Sequence, residues 1–182
     1  MNTKCKISLL VLMAFVVTPL AVRADFDQPL KAALATVKGQ RDTTMGLASD
    51  GRNRARSMEN RSFPGQPTPP ELPDCRAIAS GEFEDMARTY NSVLDSIRDG
   101  SATEESIRSR TRTSVSINNS FIARARRCLS RNGLVDFSET TIGDAWIRIF
   151  NSFQAMSTND KKKLSKELDK KIRWKSTRPS GF

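Results

Sequence analysis

The fold is decided by residues 75–128, which read CRAIASGEFEDMARTYNSVLDSIRDGSATEESIRSRTRTSVSINNSFIARARRC. In the first half, apolar side chains recur at three- and four-residue steps, the period of one helix face. Asp74 is a suitable N-cap residue, and Asp99-Gly100 is a suitable stop. We therefore predict one continuous helix over residues 75–98. Its apolar face consists of Ile78, Ala79, Phe83, Met86, Tyr90, Val93, Leu94 and Ile97.

The second half of this stretch predicts another helix. Ser101-Ala102-Thr103-Glu104 has the spacing of a capping box, in which a hydroxyl and a glutamate three residues later satisfy backbone amides at a helix start. Asn132-Gly133 is typical of a helix end. We predict a helix over residues 104–131. Its inner face consists of Ile107, Thr111, Ser114, Ile117, Phe121, Ala125 and Cys128.

The short turn around Gly100 predicts that these two helices lie antiparallel as an αα-hairpin. Residues that face each other across such a hairpin have numbers with a nearly constant sum, about 202 for a turn centred near residue 101. The numbers of Cys75 and Cys128 sum to 203. We therefore expect a disulfide between them at the open end of the hairpin. In the chain-entropy model, closing a loop of about fifty residues contributes roughly 4 kcal/mol.

Three further segments have helical periodicity. Residues 25–41 predict a short N-terminal helix, in which Leu30, Leu34 and Val37 share one face. Beyond the hairpin, an amphipathic helix is predicted from Ile142, Ala145, Trp146, Ile149, Phe153 and Met156. The last helix is predicted from Leu164, Leu168 and Ile172, which are followed by Trp174. No strand pattern is present, so the sequence predicts an all-α fold, a small helical bundle built on the disulfide-pinned hairpin.

Residues 42–73 have a different composition. This segment contains several prolines and arginines, and it has few large apolar residues at regular spacing. Because too little apolar surface is available there to offset chain entropy, we predict a flexible, extended Pro-rich arm. The helical domain then covers residues 74–174, and residues 175–182 form a polar tail.

Residues 1–24 have the plan of a signal peptide. Lys4 and Lys6 precede an apolar run over residues 7–17, and Ala24 ends a small-residue cleavage site. The rival interpretation is a membrane anchor, which needs about 20 apolar residues. Thr18-Pro19 interrupts the run before that length is reached. We therefore predict an exported, periplasmic or secreted protein that is not an integral membrane protein.

Export has consequences for charge and for the cysteines. Removing residues 1–24 would lower the net charge from +10 to about +7, so the protein stays basic. It would also remove Cys5 and leave Cys75 and Cys128 as an even pair. In an oxidising compartment such a pair is expected to form a disulfide.

The composition argues against most kinds of catalysis. The sequence contains no histidine, which excludes Ser-His-Asp and Cys-His sites, imidazole bases and most zinc, copper and haem sites. Paired cysteines would also exclude thiolate chemistry and cysteine-bound metals. We therefore expect a protein that is not an enzyme and that has no metal or small-molecule cofactor.

Two pairs of acidic residues are the remaining catalytic candidates. They are Glu82 with Asp85 and Glu104 with Glu105. Paired carboxylates hydrolyse glycosidic bonds in many enzymes, which makes a cell-wall hydrolase conceivable. These acids are predicted on polar helix faces or in a first turn, where carboxylates complement the helix dipole. The hydrolase is therefore the least favoured of three hypotheses.

Basic residues are the strongest functional signal. Arginine binds carboxylates and phosphates through a planar fork of paired donors, and lysine adds positive charge. Acids on the preceding helix offer the simpler alternative that they neutralise part of this charge. The candidate anion- or partner-binding residues lie on the second helix and near the C-terminus: Arg108, Arg112, Arg124, Arg127, Arg131, Lys162, Lys166, Lys170, Arg173 and Trp174.

These observations leave a leading hypothesis and an alternative. The leading one is a non-catalytic exported protein that binds another envelope or secreted protein, as an adaptor, a component of a secretion or conjugation assembly, or an inhibitor or immunity protein. The alternative is a binder of anionic polymers such as nucleic acid, lipopolysaccharide or cell-wall polymers. Binding of such polymers weakens steeply with salt, which separates the two hypotheses.

Overall fold

A computed structural model of the chain describes residues 26–61 and 65–168, with the side chains of residues 81–87 excepted. Within those ranges all regular structure is helical, and there is no strand. The helices are α1 (Gln28–Arg61), α2 (Leu72–Ala79), α3 (Gly81–Asp99), α4 (Glu104–Leu129), α5 (Glu139–Ala155) and α6 (Thr158–Leu168). The prediction of an all-α bundle is confirmed.

Helix α1 is the longest element, and it packs against α2, α4 and α5. Its 34 residues span about 51 Å. The carboxylate of Asp27 accepts a hydrogen bond from the backbone amide of Leu30 at 2.8 Å, which satisfies a free donor at the helix start. A buried stripe then runs from Leu30 to Met58 along the face that meets the other helices.

The structure corrects the prediction that a flexible linker begins at residue 42. Helix α1 continues to Arg61, so the short helix predicted over residues 25–41 is only its first half. The buried residues of the second half are mostly small, such as Ala48, Gly51 and Ala55. Such a stripe is easily overlooked when only large apolar side chains are counted, yet it lets neighbouring helices approach closely. Residues 65–70, which include three of the five prolines of the predicted arm, are not helical.

The predicted continuous helix over residues 75–98 is also corrected. It is divided into α2 and α3 at Ser80, whose φ of −127° and ψ of −78° are not helical. The Ser80 hydroxyl donates to the carbonyl oxygen of Arg76 at 2.9 Å, and glycine follows at position 81. Serine–glycine pairs are a common cause of sharp helix kinks. Asp74 is not an N-cap but lies in the first turn of α2.

The turn between α3 and α4 has the predicted position and a different cap. Gly100 adopts a left-handed conformation with φ of 79°. The N-cap of α4 is Thr103, whose hydroxyl accepts from the amide of Ser106 at 3.1 Å, while the Ser106 hydroxyl accepts from the amide of Thr103 at 2.9 Å. The predicted capping box at Ser101 is therefore displaced by two residues. Ser106 stands three residues after the cap, where a capping box usually has glutamate or glutamine. Its hydroxyl can take that role because it also accepts a hydrogen bond from the backbone amide of the cap residue.

The predicted disulfide is present. Cys75 of α2 is bonded to Cys128 of α4, their Cα atoms are 4.9 Å apart, and both residues are completely buried. The register of the antiparallel hairpin therefore agrees with the constant-sum argument, even though α2 and α3 are separate helices. Helix α4 ends one residue after Cys128, at Leu129, and its C-cap is Ser130, with a φ of 52°, and not the predicted Asn132-Gly133.

Helices α5 and α6 complete the core. The Ser138 hydroxyl caps α5 by accepting from the amide of Thr141 at 3.3 Å. The buried Trp146 of α5 meets Tyr90 of α3 edge to face, with ring centroids 5.2 Å apart. Leu164 and Leu168 of α6 are fully buried, and the predicted Ile172 lies outside the described residues. None of the helices in the described ranges is long and apolar enough to cross a membrane.

Among the residues that the structure describes, one charged side chain lies inside the core. Arg41 of α1 is 4% exposed and bonds the neighbouring carboxylate of Asp42 at 2.8 Å. Burial raises the pKa of Tyr90, and the nearby guanidinium of Arg41 opposes that rise. The guanidinium of Arg41 therefore lies near the Tyr90 phenol, where α1 meets α3. Buried charges are generally accompanied by polar partners, and Arg41 has Asp42 and Tyr90 nearby.

Candidate binding cleft

The arginines at the start of α4 bind acids of α5. Arg108 pairs with Asp144 at 3.4 Å, and Arg112 pairs with Glu139 at 3.0 Å. All four side chains are about half exposed or more. Exposed ion pairs of this kind contribute about 0–1 kcal/mol each. They join α4 to α5, and they balance two of the arginines predicted to bind anions.

Arg127 in the last turn of α4 and Arg131 just beyond the helix bind acids of α2 and α1. Arg127 donates two hydrogen bonds to Asp74, at 2.7 and 2.8 Å. Arg131 pairs with Asp50 at 3.1 Å. The hydrogen bonds from Arg127 lower the pKa of Asp74, and the positive charge of Arg124 lowers it further. The contact of Arg127 with Asp74 joins the two helices that the disulfide connects, and the contact of Arg131 with Asp50 adds α1.

The arginine face predicted on α4 is therefore largely compensated. As in the simpler alternative, acids within the bundle neutralise arginines of this face, namely Arg108, Arg112, Arg127 and Arg131. None of the four partner acids, Asp144, Glu139, Asp74 and Asp50, lies within the helix predicted over residues 75–98 that was expected to supply them. Sequence reasoning missed them because they are far away along the chain and approach only when α1 and α5 pack on α4.

A different basic surface surrounds a cleft where the ends of α3 and α5 meet α6. The cleft has a volume of about 650 Å³. Its floor includes Ile97 of α3 and Phe153 of α5, which are 1% and 9% exposed. Its charged walls are Arg98, Asp99, Lys161, Lys162 and Lys166. Four cations and one carboxylate thus surround an apolar floor.

Two of these cations are positioned by contacts across the cleft. The Arg98 guanidinium donates to the carbonyl oxygen of Ser165 at 3.0 Å, which ties α3 to α6. The Lys161 ammonium lies 5.4 Å from the ring centroid of Phe153, within the range of a cation–π contact. Both contacts fix positive charge close to the apolar floor.

The other two cations, Lys162 and Lys166, project from the exposed face of α6. They are one helical turn apart, so their attachment points are separated by about 6 Å along the helix. Within the described residues neither forms an ion pair. The neighbouring acid Asp160 accepts a hydrogen bond from Ser157 at 2.7 Å and is thereby engaged at the helix start. The uncompensated charge of the cleft is concentrated on these two lysines.

Asp99 is the one carboxylate among the residues that line the cleft. Hydrogen bonds from Ser101 lower the pKa of Asp99, and the backbone bond measures 2.8 Å. The carboxylate is therefore ionised at neutral pH. A bound ligand meets the lysines on the α6 side of the cleft and the opposite charges of Arg98 and Asp99 at the end of α3.

The structure separates the predicted site residues into groups. Lys162 and Lys166 line the cleft, whereas the α4 arginines do not. Lys170, Arg173 and Trp174 lie outside the described residues.

Sequence reasoning missed Arg98 and Lys161 as site residues, and it assigned Ile97 and Phe153 to the core alone. No local pattern identifies them, because the cleft is assembled from three separate helices.

Of the two predicted acidic pairs, the structure describes the side chains of Glu104 and Glu105. Glu104 is exposed in the first turn of α4 and accepts a hydrogen bond from Asn151 at 3.3 Å. Glu105 beside it is also exposed. The side chains of Glu82 and Asp85 lie outside the described part of the structure. The described ranges contain no group of three or more cysteine, aspartate or glutamate side chains able to hold a metal ion.

No protein-family model matches the chain, and no curated protein or solved structure matches it. The geometry and charge of the described residues are therefore the basis for inferring its function.

Proposed function

We propose that this chain is an exported, non-catalytic helical protein that binds another envelope or secreted protein through the cleft between α3, α5 and α6. The observation that carries the proposal is the pair of uncompensated lysines, Lys162 and Lys166, beside the apolar floor of Ile97 and Phe153. Protein-binding surfaces typically combine such an apolar centre with a polar rim.

Several features support export and the absence of catalysis. The signal-peptide pattern of residues 1–24 and the disulfide between Cys75 and Cys128 both fit an oxidising compartment. The sequence has no histidine to act as a general base near neutral pH. The roles that fit a rigid exported binding module are an adaptor, a component of a secretion or conjugation assembly, and an inhibitor or immunity protein.

The rigidity of the bundle supports a binding role. The disulfide fixes α2 on α4, and the ion pairs of Arg127 and Arg131 hold α4 against α2 and α1. A preformed surface loses little conformational entropy when it binds, so more of the contact energy contributes to affinity. The partner can therefore be recognised by a small cleft.

Binding of anionic polymers is the second candidate. It is favoured by the continuation of the basic sequence beyond Lys162 and Lys166 to Lys170 and Arg173, with Trp174 beside them. A polymer complex of this kind depends on the release of counterions, so its affinity falls steeply with salt. An apolar anchor in the cleft would make the affinity less dependent on salt.

The proposal is tested with two matched double variants of the full mature protein. Lys162→Gln with Lys166→Gln and Arg108→Gln with Arg112→Gln each remove two exposed positive charges spaced four residues apart. Immobilised proteins are incubated with envelope extract of the native host, and bound proteins are quantified by mass spectrometry.

The proposal predicts a protein that is retained by the native protein and by the arginine variant but is strongly depleted with the lysine variant. Retention should persist at physiological salt. Equal capture by both variants, or capture that disappears in both, would contradict binding through the cleft. Capture of nucleic acid or polysaccharide in place of protein would favour the second candidate.

A further inference from the structure

We infer that the occupant of the cleft is an acidic segment of the partner protein, in which aspartate or glutamate residues flank a large apolar side chain. The inference deepens the proposed function and rests on it, because it specifies the chemistry of the partner at the same cleft. It follows from three properties of the cleft: the apolar floor formed by Ile97 and Phe153, the positively charged rim formed by Lys162 and Lys166, and the acidic wall formed by Asp99.

The floor requires an apolar contribution from the occupant. Ile97 and Phe153 form an apolar bottom, and the methylene stems of the surrounding lysines extend it. A volume of about 650 Å³ lies in the range of 300–1,000 Å³ typical of ligand pockets. An apolar side chain placed there removes mainly its own surface from water, since Ile97 and Phe153 are already 1% and 9% exposed. A purely charged chain would leave this contact unused.

The rim requires acidic residues at a defined spacing. The attachment points of Lys162 and Lys166 lie about 6 Å apart along α6. Carboxylates two residues apart on an extended segment are separated by about 6.6 Å, and those four residues apart on a helix by about 6 Å. Either arrangement allows one carboxylate for each lysine. Arg98 and Lys161 add positive potential nearer the floor, where water is less able to screen it.

The acidic wall distinguishes a protein segment from a uniform polyanion. Asp99 lies at the end of α3, on the side opposite the lysines of α6, and its negative charge offsets that of the neighbouring Arg98. A polymer with a charge on every repeat therefore gains no net attraction there. A peptide can place a neutral or basic residue against Asp99 and still present carboxylates to Lys162 and Lys166. The asymmetry of charge therefore favours a protein partner.

The test uses three synthetic octapeptides and the full mature protein. The first peptide is Asp-Glu-Asp-Leu-Phe-Glu-Asp-Glu. The second replaces Leu-Phe by Gly-Gly, and the third replaces all acids by their amides. Binding is followed at physiological salt by changes in the backbone amide NMR signals during titration.

The inference predicts that the first peptide binds about tenfold more tightly than either control peptide. The signals that change should belong to residues 97–100 and 153–166. The variant Lys162→Gln with Lys166→Gln should weaken binding about tenfold, which is consistent with the loss of two ion pairs. The variant Arg108→Gln with Arg112→Gln should change the affinity less than about twofold.

Three results would overturn the inference. Equal binding of the Gly-Gly peptide would identify a site for polyanions, and equal binding of the amide peptide would show that charge is not recognised. No signal change in the cleft at millimolar peptide would exclude acidic segments as occupants. If the lysine variant nevertheless loses a captured protein partner, the proposed function holds and only this identification of the partner's chemistry fails.

Discussion

Gly51 of α1 lies directly against the side chain of Ile78 of α2, and a Cβ atom at position 51 would overlap it. Both residues are buried, and the carbonyl oxygen of Cys75 lies nearby. The two helices therefore approach each other closely next to Cys75, which forms the disulfide. A glycine in the middle of a long helix is otherwise unfavourable by about 1 kcal/mol, and here the close packing explains its presence.

Gly51→Ala should destabilise the protein by about 1–3 kcal/mol, because the added methyl group must displace Ile78 or separate α1 from α2. Gly46→Ala is the matched control on the same helix. Gly46 is exposed, and a Cβ atom added there would have no neighbour within 4 Å, so this change should stabilise by up to about 1 kcal/mol. Urea unfolding of both variants measures the difference. Equal effects would contradict the contact between α1 and α2.

Loss of the disulfide should lower the free energy of unfolding by about 2–5 kcal/mol, because the bond restricts the unfolded chain. The variant Cys75→Ser with Cys128→Ser is compared with the native protein in urea, with and without a reducing agent. Reduction should lower the native midpoint and leave that of the variant unchanged. Mass spectrometry of non-reduced digests should detect a peptide that joins the two cysteines. Free thiols at both positions would contradict the register of the hairpin.

The ion pair of Asp74 with Arg127 should make stability depend on pH. Because Arg127 lowers the pKa of folded Asp74, the stabilisation is complete above the ordinary aspartate pKa and is lost as pH falls through the lowered folded value. Asp74→Asn should therefore be less stable than the native protein at pH 7, and the difference should shrink on acidification. Thermal unfolding from pH 7 to about pH 2 measures it.

The more exposed pair of Asp144 with Arg108 provides the control for this pH series. Asp144→Asn should change stability by less than about 1 kcal/mol at neutral pH. If the difference between Asp74→Asn and the native protein stays constant from neutral to strongly acidic pH, the interaction of Asp74 with Arg127 does not contribute as described.

Retention on an anionic matrix should distinguish the compensated arginines from the cleft lysines. Lys162→Gln with Lys166→Gln should elute from heparin at clearly lower salt than Arg108→Gln with Arg112→Gln, although each variant loses the same charge. The reason is that each of these arginines already has a carboxylate partner, whereas the lysines have none among the described residues. Equal elution would contradict this distribution of free charge.

The helical class and the disulfide could be predicted because both depend on short-range patterns. Helical periodicity identified the bounds of α4 to within a few residues and the apolar face of α5, and the hairpin register aligned Cys75 with Cys128. The end of α1 and the division at Ser80 could not be predicted in the same way. The first depends on small residues such as Gly51 that pack only in the presence of α2, and the second depends on local serine and glycine geometry.

The candidate site was less predictable than the fold. Lys162 and Lys166 were identified from charge alone, but the apolar floor beside them comes from helices that are distant along the chain. The arginines of α4 had the same sequence signal as the lysines. Only the packing of α5 and α1 against α4 supplies the acids that distinguish them. Charge patterns therefore identify basic residues, whereas tertiary structure determines which of them are available to a partner.

The central claim, that the cleft is the binding surface, is tested most directly by photo-cross-linking in the native host. A photoreactive residue is introduced at Gln154, an exposed position on the cleft wall, and separately at Asn53, an exposed position on α1 away from the cleft. We predict a cross-link to one acidic protein from position 154 alone, and its loss in the variant Lys162→Gln with Lys166→Gln. The same product from both positions, or no product from position 154, would contradict the claim.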